Sequence, residues 1–233
     1  MTKDFYSDVG VLPGVFHAGS SFAASMLDVW RVDLRALGAH ETALLSLLPA
    51  AEAAPGERGL SRGALRLLLG AYLGCSPEDV VLDAGAHGKP ALARRQGNTL
   101  DLRFNVSRSG STALVAMTLG RDIGVDVERM RPVPKLMKIA HRYFSSEQCE
   151  QLEQLEPQKR DEEFLRLWSR FESLSKASGY GVQLLGAKRN MPPRSTQKFK
   201  TRDISWSARE GGLYLASVSV EGDVPHLRCR PFP

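Results

Sequence analysis

Cysteine is scarce in this 233-residue chain: Cys75, Cys149 and Cys229 are the only three, and no two of them form a CxxC pair. Their odd number and wide spacing argue against a disulfide framework and favour a reducing setting. The sequence also lacks a run of roughly 18 uncharged apolar residues, and its first residues do not follow a signal-peptide pattern. We therefore expect a cytoplasmic protein that does not associate with a membrane.

Several signatures of nucleic-acid-binding proteins are absent as well, since there is no arginine-rich run, no zinc-ligand spacing and no aromatic RNA-binding pattern. The composition, 42 % hydrophobic and 24 % charged, is typical of a folded globular protein. A net charge of +5 favours an anionic partner. That partner is a nucleic acid, a phosphorylated cofactor or an acidic protein surface, and the missing signatures make nucleic acid the least favoured of the three.

Helix and strand patterns are mixed in both halves of the chain. This mixture predicts an α+β fold with two similar α/β lobes in a pseudo-twofold arrangement, made of a leader over 1–25 and lobes over 26–122 and 123–233. The predicted strands are 27–34, 79–85, 99–107, 112–120, 122–129, 203–209 and 212–220. The predicted helices lie within 40–80, with a break at Pro55-Gly56, and at 136–156 and 159–178.

Two carboxylates alternate with apolar residues in the predicted strand 122–129. Alternation places Asp126 and Glu128 on one face, about 7 Å apart by the rise of a strand. Oxygen ligands at this spacing suit a hard cation such as Mg²⁺. The alternative is a solvent-facing strand with acidic side chains and no ligand.

The predicted helix 159–178 carries a third carboxylate. Trp168, Glu172 and Lys176 follow one another at intervals of four residues, so they share one stripe of the helix. Glu172 can complete a Mg²⁺ site with the strand carboxylates, and Lys176 can reach a phosphate oxygen. Alternatively, the stripe is a buried tryptophan beside an ordinary surface pair.

Two short turns also have the composition of phosphate-binding segments. In HGKP, Lys89 lies between a flexible glycine and Pro90, so a ligand can approach the backbone beside an ammonium group. In NVSRSG, the hydroxyls of Ser107 and Ser109 and the guanidinium of Arg108 can donate to an anion at a strand end. Read alone, each segment is an ordinary exposed turn.

The blocks GKP, FNVSRSG, GVDVE, RYFSSEQ and WSRFESLSK follow one another in this order over residues 87–181. Together with WRVDL near the start, they resemble the larger, single-chain class of 4'-phosphopantetheinyl transferases that serves secondary-metabolite synthesis. Those enzymes transfer phosphopantetheine from coenzyme A to a serine of an acyl or peptidyl carrier protein of polyketide, fatty-acid or nonribosomal peptide synthases. The resemblance implies a monomer with the donor bound in a cleft between two similar α/β lobes.

The resemblance also implies roles for individual residues. Asp126, Glu128 and Glu172 would bind Mg²⁺, and Glu172 and Lys176 would be catalytic. The carrier serine would attack the β-phosphate, with Glu172 or a water at the metal taking its proton and 3',5'-ADP leaving. The implied coenzyme A-binding residues are Arg58, Arg62, Lys89, Pro90, Ser107, Arg108, Asp126 and Lys176.

Two positions depart from the family pattern. Arg108 stands where the family usually has a histidine, and Phe171 stands where it usually has a lysine. Arg108 keeps a cation, whereas Phe171 removes one unless Arg170 reaches the same space. These departures leave open a non-catalytic relative that binds coenzyme A or a carrier protein, and a basic nucleic-acid-binding domain is a further alternative.

The basic segment 187–203 is interpreted either as a docking surface for an acidic carrier helix or as a solvated connection.

Overall fold

Helices and strands are interspersed along the chain in the computed structural model, which describes residues 26–84, 89–93, 101–179, 197–208, 212–223 and 226–232. The strands in these ranges are β1 Met26–Asp33, β2 Leu82–Ala84, β3 Pro90–Leu92, β4 Leu102–Ser109, β5 Thr112–Leu119, β6 Ile123–Arg129, β7 Phe199–Ser207, β8 Leu213–Glu221 and β9 His226–Pro231. The helices are α1 Glu41–Ser46, α2 Glu57–Leu73, α3 Leu136–Tyr143, α4 Ser146–Glu153 and α5 Pro157–Ser178, with short 3-10 helices at Ala36–His40 and Pro77–Asp79. The mixture confirms the predicted α+β class.

The first sheet has the strand order β4-β5-β1-β9. Its first three strands are antiparallel neighbours, whereas β9 runs parallel to β1. Helix α2 packs on one face of this sheet through a core that includes Trp30, Leu67 and Phe104. Strand β9, close to the C-terminus, therefore forms the edge of the sheet next to β1.

The second sheet has the order β6-β8-β7, again with antiparallel neighbours. It meets the first sheet through a shared apolar core to which β1 contributes Leu27 and Val29 and β6 contributes Val125 and Val127. Because strand side chains alternate between faces, the intervening residues of β6 point away from this core. Helix α5 packs against that other face of β6 and β8.

Local sequence signals set the ends of α4 and α5. Pro157 occupies the first turn of α5, where a missing N–H costs little, and Gly179 ends the helix with a left-handed φ of 72°. Ser145 and Gln148 form a reciprocal capping box at the start of α4. The predicted helix 159–178 thus ends at the predicted residue, and the predicted helical segment 136–156 divides into α3 and α4.

The structure differs from the predicted elements near the C-terminus. Strand β7 begins at Phe199, four residues before the predicted strand 203–209, and β9 has no predicted counterpart. The residues of β9 are exposed or half-buried, and its apolar residues Leu227 and Cys229 alternate with His226, Arg228 and Arg230, a short strand pattern that sequence reasoning missed. None of the helices in the described part of the chain is long and apolar enough to cross a membrane.

Candidate active site

Strand β6 carries the two carboxylates on the face that the alternation predicts. Val125 and Val127 are fully buried in the core between the sheets. Asp126 points to the opposite face and is only 3 % exposed, while the Glu128 side chain keeps 15 % of its surface exposed. The interpretation of a fully solvated acidic strand face is therefore wrong for Asp126.

Helix α5 approaches β6 unusually closely at Gly124. A Cβ atom on Gly124 would lie 2.1 Å from the carbonyl oxygen of Ser173 and 2.4 Å from the amide nitrogen of Ala177. Only glycine allows this spacing, because real Cβ contacts are longer than 3.0 Å. The close packing brings the polar side chains of α5 within hydrogen-bonding reach of β6.

Lys176 joins the strand carboxylate to the helix carboxylate. Its Nζ lies 2.7 Å from Oδ1 of Asp126 and 3.5 Å from Oε2 of Glu172. The same ammonium group donates to Oγ of Ser107 at 3.1 Å and to the carbonyl of Val125 at 3.2 Å. Ser107 in turn donates to Oδ1 of Asp126 at 2.8 Å. Residues from β4, β6 and α5 thus meet at one carboxylate oxygen.

The electrostatics of Glu172 reflect this crowding. Burial raises the pKa of the Glu172 carboxyl above its usual value, and the negative charges of Asp126 and Glu128 raise it further. The nearby Lys176 opposes the shift. Asp126 and Glu172 share the Lys176 ammonium group, and the charge of Glu128 acts on the Glu172 carboxyl. The site is therefore anionic, and a cation would stabilise it.

One oxygen of this site has no partner among the described residues. Oδ2 of Asp126 is buried and makes no hydrogen bond, whereas Glu128 is bonded to Arg131 at 2.7 Å. A buried carboxylate oxygen without a donor costs free energy, which a bound cation would offset. Within the described ranges, no three His, Cys, Asp or Glu side chains are already gathered closely enough to hold a metal ion. The carboxylate oxygens are nevertheless donors of the kind that Mg²⁺ prefers, and Lys176 is bonded between those of Asp126 and Glu172.

Lys89 reaches the same junction from the other half of the chain. Its Nζ donates to the carbonyl of Ile123 at 2.7 Å and to that of Lys176 at 3.2 Å, so it ties the start of β6 to the end of α5. Burial lowers the pKa of Lys89 to about 8. Pro90 follows as the first residue of β3 and is exposed.

Comparisons with known proteins identify the family of the chain. Residues 122–218 match the model of the 4'-phosphopantetheinyl transferase superfamily. The chain is 35 % identical over 165 residues to the 4'-phosphopantetheinyl transferase HetI of Nostoc, a match that covers 69 % of each protein. The chain belongs to the 4'-phosphopantetheinyl transferase superfamily. The family prediction is thereby confirmed.

Two further relatives are matched over shorter parts. A putative 4'-phosphopantetheinyl transferase of Synechocystis is 36 % identical over 139 residues, which cover 60 % of this chain and 55 % of the relative. The 4'-phosphopantetheinyl transferase Sfp of Bacillus subtilis is 30 % identical over 106 residues, which cover 46 % of this chain and 44 % of the relative. The matches thus span from about half to about two thirds of these superfamily members.

The two departures from the superfamily pattern have different structural settings. Arg108 is exposed and, by strand alternation, lies on the opposite face of β4 from Ser107. Phe171 packs in an aromatic cluster, with ring centroids 5.5 Å from Tyr143 and 5.9 Å from Trp168. The suggested replacement cation, Arg170, is instead bonded through its Nε to both carboxylate oxygens of Asp203 on β7, at 2.9 and 3.0 Å.

The two arginines that the resemblance implies for coenzyme A binding lie in the first two turns of α2. Arg58 is exposed, and Arg62 is half-buried and donates to the carbonyl of Glu52 at 3.1 Å. Neither residue is bonded to the carboxylate site in the described contacts. Their assignment stays a prediction.

Sequence reasoning missed the structural roles of three residues that shape this site, one of which, Ser109, was predicted only as an anion donor. Asn105 and Ser109 lie on the same face of β4 as Ser107, and their side chains accept hydrogen bonds from the amides of Val125 and Arg129, at 2.8 and 3.0 Å. The alternation in FNVSRS contained this signal, since positions 105, 107 and 109 share a face. Gly124 is the third, and only the close approach of the helix reveals its role.

The lowered pKa of Lys89 predicts a pH dependence of stability. The folded protein releases this proton near pH 8, whereas the unfolded chain keeps it until about pH 10.5. Because the unfolded state then binds more protons, the unfolding free energy rises with pH across this window. We expect wild type to gain stability relative to Lys89→Met between pH 8 and 10.5, as measured by urea denaturation at several pH values. Lys200→Met, an exposed lysine, is the matched control, and a constant difference between wild type and Lys89→Met would contradict the assignment.

Proposed function

We propose that this chain transfers 4'-phosphopantetheine from coenzyme A to a serine hydroxyl of an acyl or peptidyl carrier protein. The junction of Asp126, Lys176 and Ser107, with Glu128 and Glu172 beside it, carries the proposal. It combines carboxylates that fit a divalent cation with an ammonium group for phosphate. Membership of the superfamily supports the same reaction.

In the proposed reaction, the serine oxygen of the carrier forms a bond to the β-phosphorus of coenzyme A while the bond to 3',5'-ADP breaks. Glu172 or a water molecule accepts the serine proton. Lys176 donates to the phosphate oxygens and neutralises charge on the leaving group. Asp126 and Ser107 hold the Lys176 ammonium in place.

Magnesium is the cation that we propose for Asp126, Glu128 and Glu172. When bound, it would neutralise the pyrophosphate of the donor and stabilise the departing phosphate. The buried, unbonded Oδ2 of Asp126 is the structural support for this assignment. The contribution of the protein is to place the three carboxylates on β6 and the facing helix α5, with Asp126 buried.

We also propose that the two halves are related by a pseudo-twofold arrangement. Each half contains a strand, a long helix and a hairpin, and the second strand of the hairpin lies between the other two strands. These elements are β1, α2, β4 and β5 in the first half and β6, α5, β7 and β8 in the second. In β1, Asp28 lies between Leu27 and Val29, which belong to the apolar core between the two sheets. Asp126 has the corresponding position in β6, between two valines of the same core. The carboxylate junction is located where β4 of the first half meets β6 of the second.

Two basic segments are candidates for carrier docking. Most of the predicted docking segment 187–203 lies outside the described residues, and within it Lys198 is bonded to Glu221 at 2.8 Å while Lys200 is exposed. The described structure offers a second surface over residues 129–142, which contain five arginine or lysine residues and no acidic residue. All five are exposed, and we call them the basic α3 surface: Arg129, Arg131, Lys135, Lys138 and Arg142.

The position of the basic α3 surface favours it as the docking site. It begins directly after Glu128, and Arg131 is bonded to that carboxylate. Between its charges lie Met130 and Met137, which are half-buried and pack on the core of α3, α4 and α5. A surface of cations and methionines suits an acidic helix with apolar side chains.

Charge reversal tests this docking site. We expect Lys138→Glu/Arg142→Glu to raise the KM for the carrier by about tenfold, because rim charges govern encounter and orientation, and to leave the KM for coenzyme A unchanged. The control variant Arg35→Glu/Lys159→Glu changes the same charge at exposed sites on other elements. Steady-state kinetics in which the carrier and coenzyme A are varied in turn gives the two KM values separately. An unchanged carrier KM in the first variant would exclude the basic α3 surface, and Lys198→Glu/Lys200→Glu then tests the segment 187–203 in the same way.

The mass of an apo carrier protein after incubation with this protein, coenzyme A and Mg²⁺ tests the proposed function. Transfer adds one phosphopantetheine group to the carrier. Coenzyme A binding without a mass gain on several carriers would instead support a non-catalytic relative, which Phe171 leaves open. Salt-sensitive binding of DNA or RNA with neither property would support the nucleic-acid alternative. A cytoplasmic location and a monomeric state stay predictions.

A further inference from the structure

Among the described residues, the outer edge of β6 is bonded by side chains instead of by another strand. On one side β6 pairs with β8. On the other side, its main-chain groups meet Lys89 at the carbonyl of Ile123, Asn105 at the amide of Val125 and Ser109 at the amide of Arg129. All three side chains come from the first half of the chain. The strand that carries the carboxylates is therefore fixed in register against that half by individual side chains.

Asn105 is the buried member of this set. It is 6 % exposed, and its Oδ1 accepts the hydrogen bond from the amide of Val125 at 2.8 Å. Its own backbone is held in the β4-β5 ladder opposite Ala116. Val125 directly precedes Asp126, and Ser107, two residues after Asn105, donates to Asp126. One strand thus holds both the backbone and the side chain of the same short segment.

We propose that Asn105 is a positioning residue of the transferase site, whose amide oxygen holds the Val125 N–H and thereby keeps Asp126 in contact with Ser107 and Lys176. This inference rests on the proposed function for its effect on catalysis. A buried N–H without an acceptor is costly, so loss of the Asn105 oxygen favours a shift of β6 that brings Val125 into contact with water. Because the Oδ1 of Asp126 lies 2.8 Å from Ser107 and 2.7 Å from Lys176, a shift of about 1 Å breaks both bonds.

Asn105→Ala and Asn105→Asp form a matched pair for the test. Alanine removes the acceptor, whereas aspartate keeps an oxygen at the same reach from the Val125 amide. We expect Asn105→Ala to lower kcat by about 10–100-fold, as losses of groups that orient metal ligands do, with KM values for coenzyme A and carrier within about threefold. Asn105→Asp should stay within about fivefold of the wild-type kcat, as expected when the hydrogen bond is retained.

Two readouts that need no activity accompany the kinetics. Hydrogen exchange at the Val125 amide should accelerate by at least about tenfold in Asn105→Ala and remain protected in Asn105→Asp. The affinity for Mn²⁺, used as a probe of the carboxylates and measured by its electron paramagnetic resonance signal, should fall about tenfold in the alanine variant alone. Asn105→Ser, whose shorter side chain does not reach the amide, replaces Asn105→Ala if the latter fails to fold.

The outcomes separate the role of Asn105 from the reaction itself. Wild-type kcat, exchange rate and Mn²⁺ affinity in the alanine variant would overturn the positioning role. Equal losses in the alanine and aspartate variants would overturn it as well, because the oxygen acceptor would then not matter. If the wild type does not modify any carrier, the proposed function fails, while the exchange and Mn²⁺ measurements still decide whether Asn105 holds β6.

Discussion

The Asp126→Asn variant should lose transferase activity while keeping its fold. We expect kcat to fall by roughly 10²–10³-fold, the cost of removing one preorganised electrostatic group from an active site. Asparagine has the same shape and can still accept from Ser107, but it has no charge to hold Lys176 or a cation. In the structure, Ser107 and Lys176 converge on Asp126, and its second oxygen is buried with no donor among the described residues. Single-turnover transfer to an apo carrier, at saturating coenzyme A, measures the effect.

Asp83→Asn is the control for Asp126→Asn, since Asp83 is an exposed carboxylate on β2. Its kcat should stay within a factor of two of wild type, as is usual for surface changes. Thermal unfolding of both variants shows whether the fold is retained. Wild-type turnover in a folded Asp126→Asn variant would exclude the carboxylate site described above.

The Arg228→Met variant should be strongly destabilised. Arg228 on β9 donates to Oδ2 of Asp28 at 2.8 Å, and Asp28 is fully buried in β1. Tyr72 of α2 also donates to Asp28 and accepts from Nε1 of Trp30 at 2.9 Å. Burial and the Asp28 charge raise the pKa of the Tyr72 hydroxyl, so it remains a donor. Without Arg228, this network would leave one carboxylate in the protein interior with no cation bonded to it.

Breaking a buried ion pair by removing one partner costs about 3–5 kcal/mol. The Arg228 side chain keeps 29 % of its surface exposed, so water can reach the vacated space and we expect the lower end of that range. A loss of about 3 kcal/mol corresponds to a melting temperature roughly 6–12 °C lower for a chain of this size. Urea denaturation and differential scanning calorimetry measure the two quantities.

Two further variants test the cause of that loss. Asp28→Asn/Arg228→Met removes the buried charge together with its partner, so it should be more stable than Arg228→Met alone. Arg202→Met, an exposed arginine on β7, should change the unfolding free energy by less than about 0.5 kcal/mol. If Arg228→Met is as stable as Arg202→Met, the network does not hold β9 in the sheet.

The sequence predicted the placement of the carboxylates within each element more successfully than it predicted the sheet that holds them. Alternation in GVDVE placed Asp126 and Glu128 on one face of β6, and helical spacing placed Glu172 and Lys176 on one stripe of α5. Both patterns are local, because they depend only on the period of a strand or a helix. The contact between the two elements depends on Gly124, and no local pattern indicates which helix will pack against a glycine in a strand.

Long-range features could not be predicted in this way. Strand β9 is held by backbone pairing with β1 and by Arg228, about 200 residues away from its partner Asp28. Its short alternation of Leu227 and Cys229 with polar residues does not indicate which strand it pairs with, so its place in the sheet depends on another part of the chain. The same holds for Lys89: the resemblance implies that it binds coenzyme A, and no local pattern predicts that its ammonium group bonds to two backbone carbonyls.

The mass of one apo carrier protein, incubated in parallel with wild type and with Asp126→Asn in the presence of coenzyme A and Mg²⁺, tests the central claim most directly. We predict that the carrier gains one phosphopantetheine group with wild type and none in the same time with the variant. A gain at equal rates with both proteins, or no gain with either, would contradict the claim that this carboxylate junction carries out the transfer.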